Sequence, residues 1–489
     1  MSEAVKKELP EKWAWATFGD VADLLRGVSY KKVDTSSEPT PGKVPILRAN
    51  NIGYGLNFDS LVYVPEKQVK EVQYIKKGDI IIAMSSGSKH LVGKAAQAND
   101  DFEGAYGAFC ANLRVTADIE PKYVAYFYSS QDNLKRISGS SKGSNINNLR
   151  REHILSAPIP LAPPEQQKRI VAKIEELFSH IDAGIEALKK AKQLLKQYRQ
   201  SVLKAAVTGE LTKEWREANK DKLEPASQLL EHILKERRQK WEEQQLEQFK
   251  AKGKMQKDDK WKEKYIEPGV YEDIGYEIPG SWVMARAEQV CEFITKGTTP
   301  KKDKLSAGKG DVPFIKVYNL TFDTSLNFDV DPTFTDSETH KGFLARSKVY
   351  PGDVLMNIVG PPLGKVSIVS DLYSEWNINQ AIAVYRTITG LSNKLLAYFL
   401  LSKLVVEWML RKTKTTAGQV NLTLEISRNA PIPLMPEEEQ REIVRLIEEK
   451  LNTSDKLYEE LDLQLIKTEK NKQSILAYAF VGELYRENY

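Results

Sequence analysis

Cysteine and histidine are both scarce in this chain of 489 residues. Its two cysteines, Cys110 and Cys291, exclude a disulfide framework and a cysteine-rich zinc site. None of its five histidines stands at metal-ligand spacing from another. We therefore expect a reducing, cytoplasmic environment and no metal site in this chain.

Long apolar runs are missing as well. No segment approaches the roughly 18 consecutive apolar residues of a membrane-spanning helix, and the first residues lack the apolar core of a signal peptide. Charge is nearly balanced, with 71 Lys and Arg against 67 Asp and Glu. A nucleic-acid surface would therefore have to come from local clusters of charge rather than from the total.

The motifs of common catalytic sites are incomplete. Residues 87–95 and 360–366 resemble phosphate-binding loops, but the glycine spacing that surrounds a phosphate with backbone N–H groups is wrong in both. No Asn-Pro-Pro or Asp-Pro-Pro aromatic motif occurs, so base methylation by this chain itself is not expected. The motifs alone therefore indicate no recognisable catalytic site and no recognisable cofactor site in this chain.

The chain contains an internal repeat, which changes how every other segment is interpreted. Ala-Pro-Ile-Pro-Leu at residues 157–161 recurs at residues 430–434, and the match continues without a gap to Gly-Glu-Leu at 209–211 and 482–484. Upstream, only landmarks recur, such as Leu-Pro-x-x-Trp or Ile-Pro-x-x-Trp near the start of each half. A shared framework with different contents indicates one architecture that presents two different surfaces.

The divergent block of each half, about residues 12–156 and 281–429, is predicted to mix strands and helices. Apolar runs rich in β-branched residues and flanked by Gly and Pro predict strands. These runs are residues 44–47, 79–83, 312–317 and 353–358. Residues 121–134 and 393–410 are predicted to be helical. Each block is long enough to enclose its own core.

The well-matched blocks are predicted to be long helices, because apolar residues recur at steps of three and four. Residues 170–207 would extend about 57 Å as a helix, and a small globular block cannot cover an apolar stripe of that length. We therefore expect the two repeats to pair with each other, antiparallel, as a coiled coil. The alternative is that each helix packs on its own domain. The predicted helix–helix contacts are Ile170, Ile174, Ile181, Leu188, Leu195, Val202, Ile443, Ile447, Leu461, Leu465 and Ile475.

Residues 212–268, between the two halves, are densely charged. Glu-Pro-Ala-Ser at 224–227 predicts the start of a helix with Leu229 and Ile233 on one side. Basic runs occur at 235–240 and 250–264. A solvated helix and linker is the favoured interpretation, and a nucleic-acid site is the alternative.

Three loops recur in both divergent blocks and combine basic, amide and small residues. Loop 1 covers residues 26–32 and 296–302, loop 2 covers 48–51 and 316–319, and loop 3 covers 135–151 and 411–421. Lys and Arg neutralise phosphates, whereas Asn, Gln and Arg can read base edges in the major groove. One such loop is commonly an ordinary surface turn, but three at matched positions in both halves predict a nucleic-acid surface.

The predicted DNA contacts come mainly from these loops. In the first half they are Arg26, Ser29, Lys31, Lys32, Arg48, Asn50, Asn51, Lys89, Lys142, Ser144, Asn145 and Asn147. In the second half they are Lys296, Thr298, Thr299, Lys301, Lys316, Tyr318, Asn319, Lys414, Thr416, Gln419 and Asn421.

In the order of its motifs, nearly the whole chain resembles the specificity subunit of a type I restriction-modification system. The resemblance rests on the Pro-x-x-Trp motif of each half, Lys-Gly-Thr-Thr-Pro at 296–300, the Gly-Asp-Ile/Val strands, and Pro-Ile-Pro-Leu-x-Pro before helices that close on Gly-Glu-Leu. One departure is that Tyr30 stands where the second copy has Pro300.

The resemblance implies an α+β chain: two mixed α/β DNA-recognition domains separated by a long antiparallel two-helix coiled coil, with a pseudo-twofold internal repeat. Residues 1–160 and 269–432 would be the two target recognition domains. Residues 161–268 would be the first helical spacer with the charged linker, and residues 433–489 the second spacer. Each domain would read one half of a bipartite double-stranded DNA target.

The resemblance also implies the partners. Two methyltransferase subunits would dock on the helices and bring S-adenosylmethionine, and restriction subunits would bring ATP- and Mg²⁺-dependent translocation and cleavage. The chain itself would be non-catalytic. Two other classes of function remain: a duplicated scaffold whose domains bind proteins rather than DNA, and a self-sufficient methyltransferase or nuclease.

Overall fold

The computed structural model describes residues 9–53, 55–86, 91–116, 118–139, 148–253, 258–269, 275–413 and 420–484. The chain forms two compact units, and each unit contains one of the divergent blocks. The first unit consists of residues 1–191 and 460–489, and the second unit of residues 192–459. The division therefore falls within both long helices, not at their ends.

The first unit combines three small sheets with helices. Its strands are β1 (Ala14–Thr17), β2 (Ala22–Arg26), β3 (Lys43–Leu47), β4 (Val62–Pro65), β5 (Ile80–Ala83), β6 (Ala95–Gln97), β7 (Ala105–Tyr106), β8 (Cys110–Val115) and β9 (Pro158–Leu161). Its helices are α1 (Phe18–Val21), α2 (Pro121–Tyr128), α3 (Gln131–Gly139), α4 (Arg151–Leu155) and the first part of α5 (Pro164–Val207). The strand orders are β2-β8-β5-β6, β4-β3-β7 and β1-β9.

The second unit repeats this plan with additions. Its strands are β10 (Val283–Arg286), β11 (Cys291–Lys296), β12 (Leu305–Ala307), β13 (Val312–Ile315), β14 (Thr333–Thr335), β15 (Lys348–Val349), β16 (Val354–Asn357), β17 (Val366–Ile368), β18 (Trp376–Ile378), β19 (Ile382–Thr387) and β20 (Pro431–Leu434). Its helices are α6 (Lys213–Asn219), α7 (Ala226–Ala251), α8 (Ala287–Val290), α9 (Ser337–Lys341), α10 (Asn393–Leu401), α11 (Lys403–Arg411), α12 (Leu424–Arg428) and part of α13 (Glu437–Ala479).

The sheets of the two units correspond strand by strand. The order β11-β19-β16-β17 repeats β2-β8-β5-β6, and β10-β20 repeats β1-β9. Within the five-stranded sheet β12-β14-β13-β18-β15, the central three strands repeat β4-β3-β7, including its one parallel pair. The second unit therefore adds β12 and β15 at the two edges of a shared framework.

The strands predicted from the sequence are present as β3, β5, β13 and β16, but each predicted helix of the divergent blocks is interrupted. Residues 121–134 form α2 and the start of α3. Ser130 follows α2, and its hydroxyl donates to the Phe127 carbonyl at 2.7 Å. Residues 393–410 are divided at Ser402, whose ψ of 130° is extended. The Ser130 hydroxyl competes with helix continuation because it bonds to the local backbone.

In each four-stranded sheet, an arginine of one strand pairs with a buried aspartate directly before the neighbouring strand. Arg114 on β8 donates two hydrogen bonds to the Asp79 carboxylate, at 2.7 and 2.6 Å. Arg386 on β19 holds Asp353 in the same way, at 2.8 and 2.7 Å. These hydrogen bonds raise the pKa of both guanidinium groups. Paired, bidentate contacts satisfy the two nearly inaccessible carboxylates.

The two long helices pair with each other. In the second unit, Lys192 on α5 lies 4.1 Å from the ring centroid of Tyr458 on α13. Arg199, which follows Lys192 along α5, pairs with Asp455, which precedes Tyr458 along α13. The two helices therefore run in opposite directions. In the first unit, Lys472 donates to Asp182 at 2.5 Å. The predicted antiparallel pairing is confirmed.

Each long helix also packs against globular cores. Ile170 and Ile174 belong to the core of the first unit together with Tyr123. Val202 belongs to the core of the second unit together with Trp282. The sequence pattern left two alternatives, that the helices pair with each other or that each packs on a domain. In the structure, each helix does both.

Burial divides the predicted helix–helix contacts into two groups. The buried ones are Ile170, Ile174, Val202, Ile443 and Ile447. The half-buried ones are Ile181, Leu188, Leu195, Leu461, Leu465 and Ile475. A second helix covers only one face of its partner, whereas a globular core covers more.

The motifs that begin and end the repeats pack on one another. Gly482, in a left-handed conformation with φ of +77°, lies so close to Pro10 that an added Cβ would be 2.2 Å from the proline Cγ. Gly209 has the same φ and the same relationship to Pro279, at 2.4 Å. The Gly-Glu-Leu end of one half therefore packs on the Pro-x-x-Trp start of the other. Glycine is required there because both the φ and the space exclude a side chain.

The charged segment between the halves is not wholly solvated. α7 begins at Ala226, as the sequence predicted, and Ile233 is buried against the second unit. Glu236 accepts from the Thr389 hydroxyl at 3.1 Å, and Arg237 donates to the Cys291 carbonyl. The first half of α7 thus packs on the rest of the second unit.

Candidate nucleic-acid interface

A tight turn between β7 and β8, residues 107–109, lies at the centre of the predicted loops of the first unit. The Gly107 N–H donates to the Leu47 carbonyl, directly before loop 2, at 2.8 Å. In loop 1, the Val28 N–H donates to the Tyr106 carbonyl at 2.7 Å. We call residues 107–109 the first central turn, because loops 1 and 2 are both bonded to it or to its neighbour.

Loop 3 reaches the same turn through the residues that follow β5. The Phe109 carbonyl accepts from the Met84 N–H at 2.9 Å and from the Ser85 N–H at 3.1 Å. The Leu149 N–H, at the end of loop 3, donates to the Met84 carbonyl at 2.8 Å. Ser85 also forms a bridge with Asn148. The first central turn therefore connects all three predicted loops through backbone bonds.

The second unit has the same arrangement around residues 379–381, the second central turn. The Asn379 N–H donates to the Ile315 carbonyl, directly before loop 2, at 3.0 Å. The Thr298 N–H in loop 1 donates to the Ile378 carbonyl at 3.2 Å. These two bonds correspond to those of the first unit.

Loop 3 of the second unit is joined in the same way. The Ala381 carbonyl accepts from the Ile358 N–H at 2.8 Å, and the Ile358 carbonyl accepts from the Leu422 N–H at 2.8 Å. Val359 forms a bridge with Asn421. Matched loops in the sequence are therefore held by matched hydrogen bonds in the structure.

Loop 1 contains a glycine in each unit because the backbone of the central turn lies very close to this position. A Cβ at Gly27 would lie 2.1 Å from the Gly107 carbonyl oxygen, and a Cβ at Gly297 would lie 2.1 Å from the Asn379 carbonyl oxygen. No side chain fits at such distances. The small residues of loop 1 thus bring its neighbouring basic side chains to the central turn.

Tyr30 occupies the space over the first central turn. It is half-buried, and its ring would contact a Cβ placed on Gly107 at 3.4 Å. Burial raises the pKa of its hydroxyl, an effect that Arg48 opposes electrostatically. Pro300, at the matched position of the second copy, is buried. The difference between the two copies is therefore that the first has a larger, half-exposed ring where the second has a buried one.

The predicted DNA contacts differ in their exposure. The exposed ones are Arg26, Ser29, Lys31, Lys32, Asn50, Lys296, Thr299, Lys301, Tyr318 and Asn421, and the half-buried ones are Arg48, Thr298 and Lys316. Lys89, Lys142, Ser144, Asn145, Asn147, Lys414, Thr416 and Gln419 lie outside the described residues.

Asn51 and Asn319 require a correction. Both are buried, with exposed fractions of 2% and 0%. The Asn51 amide donates to the Asp59 carbonyl at 2.9 Å, and the Asn319 amide donates to the Asn327 and Val330 carbonyls at 3.1 and 2.9 Å. Each side chain also accepts from the first N–H of its own loop. The prediction that they contact DNA is therefore wrong: they hold loop 2 in shape.

The central turns themselves were missed by the sequence analysis. The exposed Phe109 and the exposed Gln380 both lie in them. No motif marks these short segments, since their importance comes from backbone contacts with loops far away in sequence. They directly precede the strands β8 and β19, which the sequence pattern did not predict either.

The part of the chain that the structure describes contains neither a candidate metal site nor a helix that could cross a membrane. No group of three or more His, Cys, Asp and Glu side chains there is placed to hold a metal ion. None of the helices in those ranges is both long and apolar enough to cross a membrane.

Comparison with known proteins identifies the family. A family model for the type I restriction modification DNA specificity domain matches residues 10–195 and again residues 279–465. The type I restriction enzyme EcoKI specificity subunit of Escherichia coli (strain K12) is 29% identical over 483 residues, which cover 98% of this chain and 90% of that protein. The StySPI specificity subunit of Salmonella potsdam is 44% identical over 207 residues, which cover 42% of this chain and 44% of that protein.

A solved structure shares the fold. This structure is described as the structural basis underlying complex assembly and conformational transition of the type I R-M system. Its superposition has a TM-score of 0.63 at 18% sequence identity and includes 97% of this chain and 99% of that chain. Both halves of the sequence match the same family model, so the chain belongs to the family of type I restriction-modification specificity subunits.

Proposed function

We propose that each unit of this chain reads one half of a bipartite double-stranded DNA target, with the central turn and its three loops as the contact surface. The observation that carries this proposal is the repetition of one backbone scaffold with different exposed side chains. The first unit presents Asn50 where the second presents Tyr318, and Phe109 where the second has Ala381. One scaffold with two sets of side chains accounts for an asymmetric target.

The chemistry of the exposed residues suits DNA. Lys31, Lys32 and Lys301 carry charges that neutralise phosphates and fix the position of the protein on the duplex. Asn50 and Gln380 carry amides of the kind that pair with adenine in the major groove. Contacts of the first kind set the affinity and its salt dependence, and contacts of the second kind set the sequence.

The paired helices would act as the spacer between the two half-sites. α5 begins in the first unit and ends in the second, and α13 does the reverse. One turn of B-DNA is about 34 Å. A fixed connection between the two readers would make the number of base pairs between the half-sites a property of the protein.

The catalytic work would belong to partner subunits. We infer, from the family, that this chain is non-catalytic and assembles with two methyltransferase subunits that supply S-adenosylmethionine. Restriction subunits would supply ATP- and Mg²⁺-dependent translocation and cleavage. The adenine to be methylated would be flipped into the partner's pocket.

The experiment is selection from a randomised DNA library by the full chain assembled with its methyltransferase partner. Two conserved blocks separated by a fixed number of random base pairs would support the proposal. Binding that is indifferent to sequence, together with unaltered assembly, would favour a scaffold whose domains bind proteins. Methylation or cleavage by the isolated chain would show that it is itself an enzyme.

A further inference from the structure

Phe109 is an exposed aromatic side chain on a rigid backbone. Its exposed fraction is 69%. Its carbonyl accepts two N–H groups, from Met84 and Ser85, and the next residue, Cys110, is buried and starts β8. The backbone at Phe109 is therefore fixed by its neighbours while the ring remains in solvent.

The position of Phe109 distinguishes it from other exposed apolar residues. Isolated exposed hydrophobic side chains are common and need no explanation. Phe58, for example, is 48% exposed but packs on the Phe102 ring at 4.8 Å. Phe109 lies instead on the turn that backbone bonds connect, through the neighbouring residues Tyr106, Leu47 and Met84, with loop 1, loop 2 and the end of loop 3. A DNA duplex that lies on these loops would meet the ring there.

The matched residue of the second unit is small. Ala381 carries the carbonyl that accepts from Ile358, as the Phe109 carbonyl accepts from Met84. The two central turns therefore have the same backbone role and differ in the side chain at this position. A ring needed for folding would be expected at both sites, and a ring needed for sequence recognition only at one.

We infer that Phe109 is a specificity-determining residue of the first unit, which packs its ring against a thymine 5-methyl group in the major groove of the first half-site. This inference rests on the proposed function. Apolar side chains, phenylalanine among them, recognise thymine through this methyl group, which the other three bases lack in that groove. Asn50 of loop 2 and Arg26 of loop 1 are exposed and carry side chains of the kind that read major-groove edges.

The test combines a protein change with a base change. The full chain, assembled with its methyltransferase partner, is compared with F109A on the selected target and on targets in which uracil replaces each thymine of the first half-site in turn. Replacement of one particular thymine by uracil should lower the affinity of the wild-type protein about fourfold, which is the contribution of one buried methyl group. F109A should bind the unmodified target about tenfold more weakly and should no longer distinguish uracil from thymine.

Two control variants separate this effect from general damage. F343A removes a ring of similar exposure, 63%, from the second unit, and it should leave the base preference at the first half-site unchanged. A381F places a ring on the second central turn and should alter only the second half-site. The melting temperature of F109A should match that of the wild type, because the ring is largely exposed.

The outcomes distinguish the inference from the proposed function. The inference is overturned if F109A keeps the uracil discrimination, if the first half-site contains no thymine, or if 2-aminopurine fluorescence shows that the ring unstacks bases instead. In all three cases a split target would still stand. If the wild-type protein selects no split target at all, the proposed function itself fails.

Discussion

Arg216 and Glu439 form an ion pair of 2.7 Å in which the glutamate is completely buried. The same carboxylate accepts from the Thr212 hydroxyl at 2.7 Å and from the Trp282 indole at 2.9 Å. These bonds join the start of the second half to the beginning of α13 and to the segment after α5. In the first half, the neutral Gln166 accepts from Trp13 at 3.1 Å. The second copy has a carboxylate instead, and a cation compensates it.

Removal of the cation should therefore destabilise the second unit strongly. R216M leaves a charge buried without its partner, which typically costs about 3–5 kcal/mol. The double variant R216M/E439Q should recover most of that loss, because glutamine can accept from Trp282 as Gln166 does from Trp13. Thermal unfolding measures the stability of R216M and of the double variant. The control K220A breaks an exposed pair with Glu217 and should cost less than about 1 kcal/mol. Equal losses for R216M and the double variant would contradict this account.

The close approach at loop 1 predicts unit-specific loss of recognition. G27A should impair the first half-site and G297A the second, since a Cβ 2.1 Å from a carbonyl oxygen forces the loop away from the central turn. Overpacking of this kind costs about 1–3 kcal/mol. The controls are G55A and G280A, which place a Cβ in open space. Half-site selection for each variant is the measurement, and an effect on both half-sites from either variant would argue against separate readers.

Two adjacent asparagines in loop 2 should behave differently. N51A removes a buried amide that holds the loop, so it should lower the melting temperature, with about 1–3 kcal/mol lost for the groups left unpaired. N50A removes an exposed amide, so it should relax one base position at unchanged stability. Parallel melting curves and half-site selections compare the two. If N51A melts like the wild type, the structural role assigned to Asn51 is incorrect.

The register of the long helices can be tested by crosslinking. In the variant D182C/K472C, the two cysteines replace residues that are in contact, so a short bis-maleimide should join them efficiently. In K189C/K472C, the first cysteine is displaced by about two helical turns, so the same reagent should not join the pair. The native thiols should stay unreactive, because burial raises the pKa of Cys110 to about 12 and raises that of Cys291 as well. Peptide mass spectrometry identifies the linked pairs. Efficient linkage of the second pair would mean a different register.

The sequence predicted those features that depend on local pattern or on repetition. The length of the apolar stripe on α5 and its repetition on α13 were enough to predict paired helices. The role of Asn51 could not be distinguished from that of Asn50, because two adjacent polar letters carry no information about which side chain turns inward. The central turns could not be found either, since their contacts join residues such as Val28 and Tyr106 that are far apart in the chain.

The most direct test of the central claim is a genome-wide map of N6-methyladenine in cells that express this chain with its methyltransferase partner. The map is compared for the wild-type chain and for a chain in which residues 281–429 are replaced by the matching block of a relative. The account predicts a split methylated sequence of which one half changes and the other half and the spacing stay the same. A change in both halves, or in neither, would contradict it.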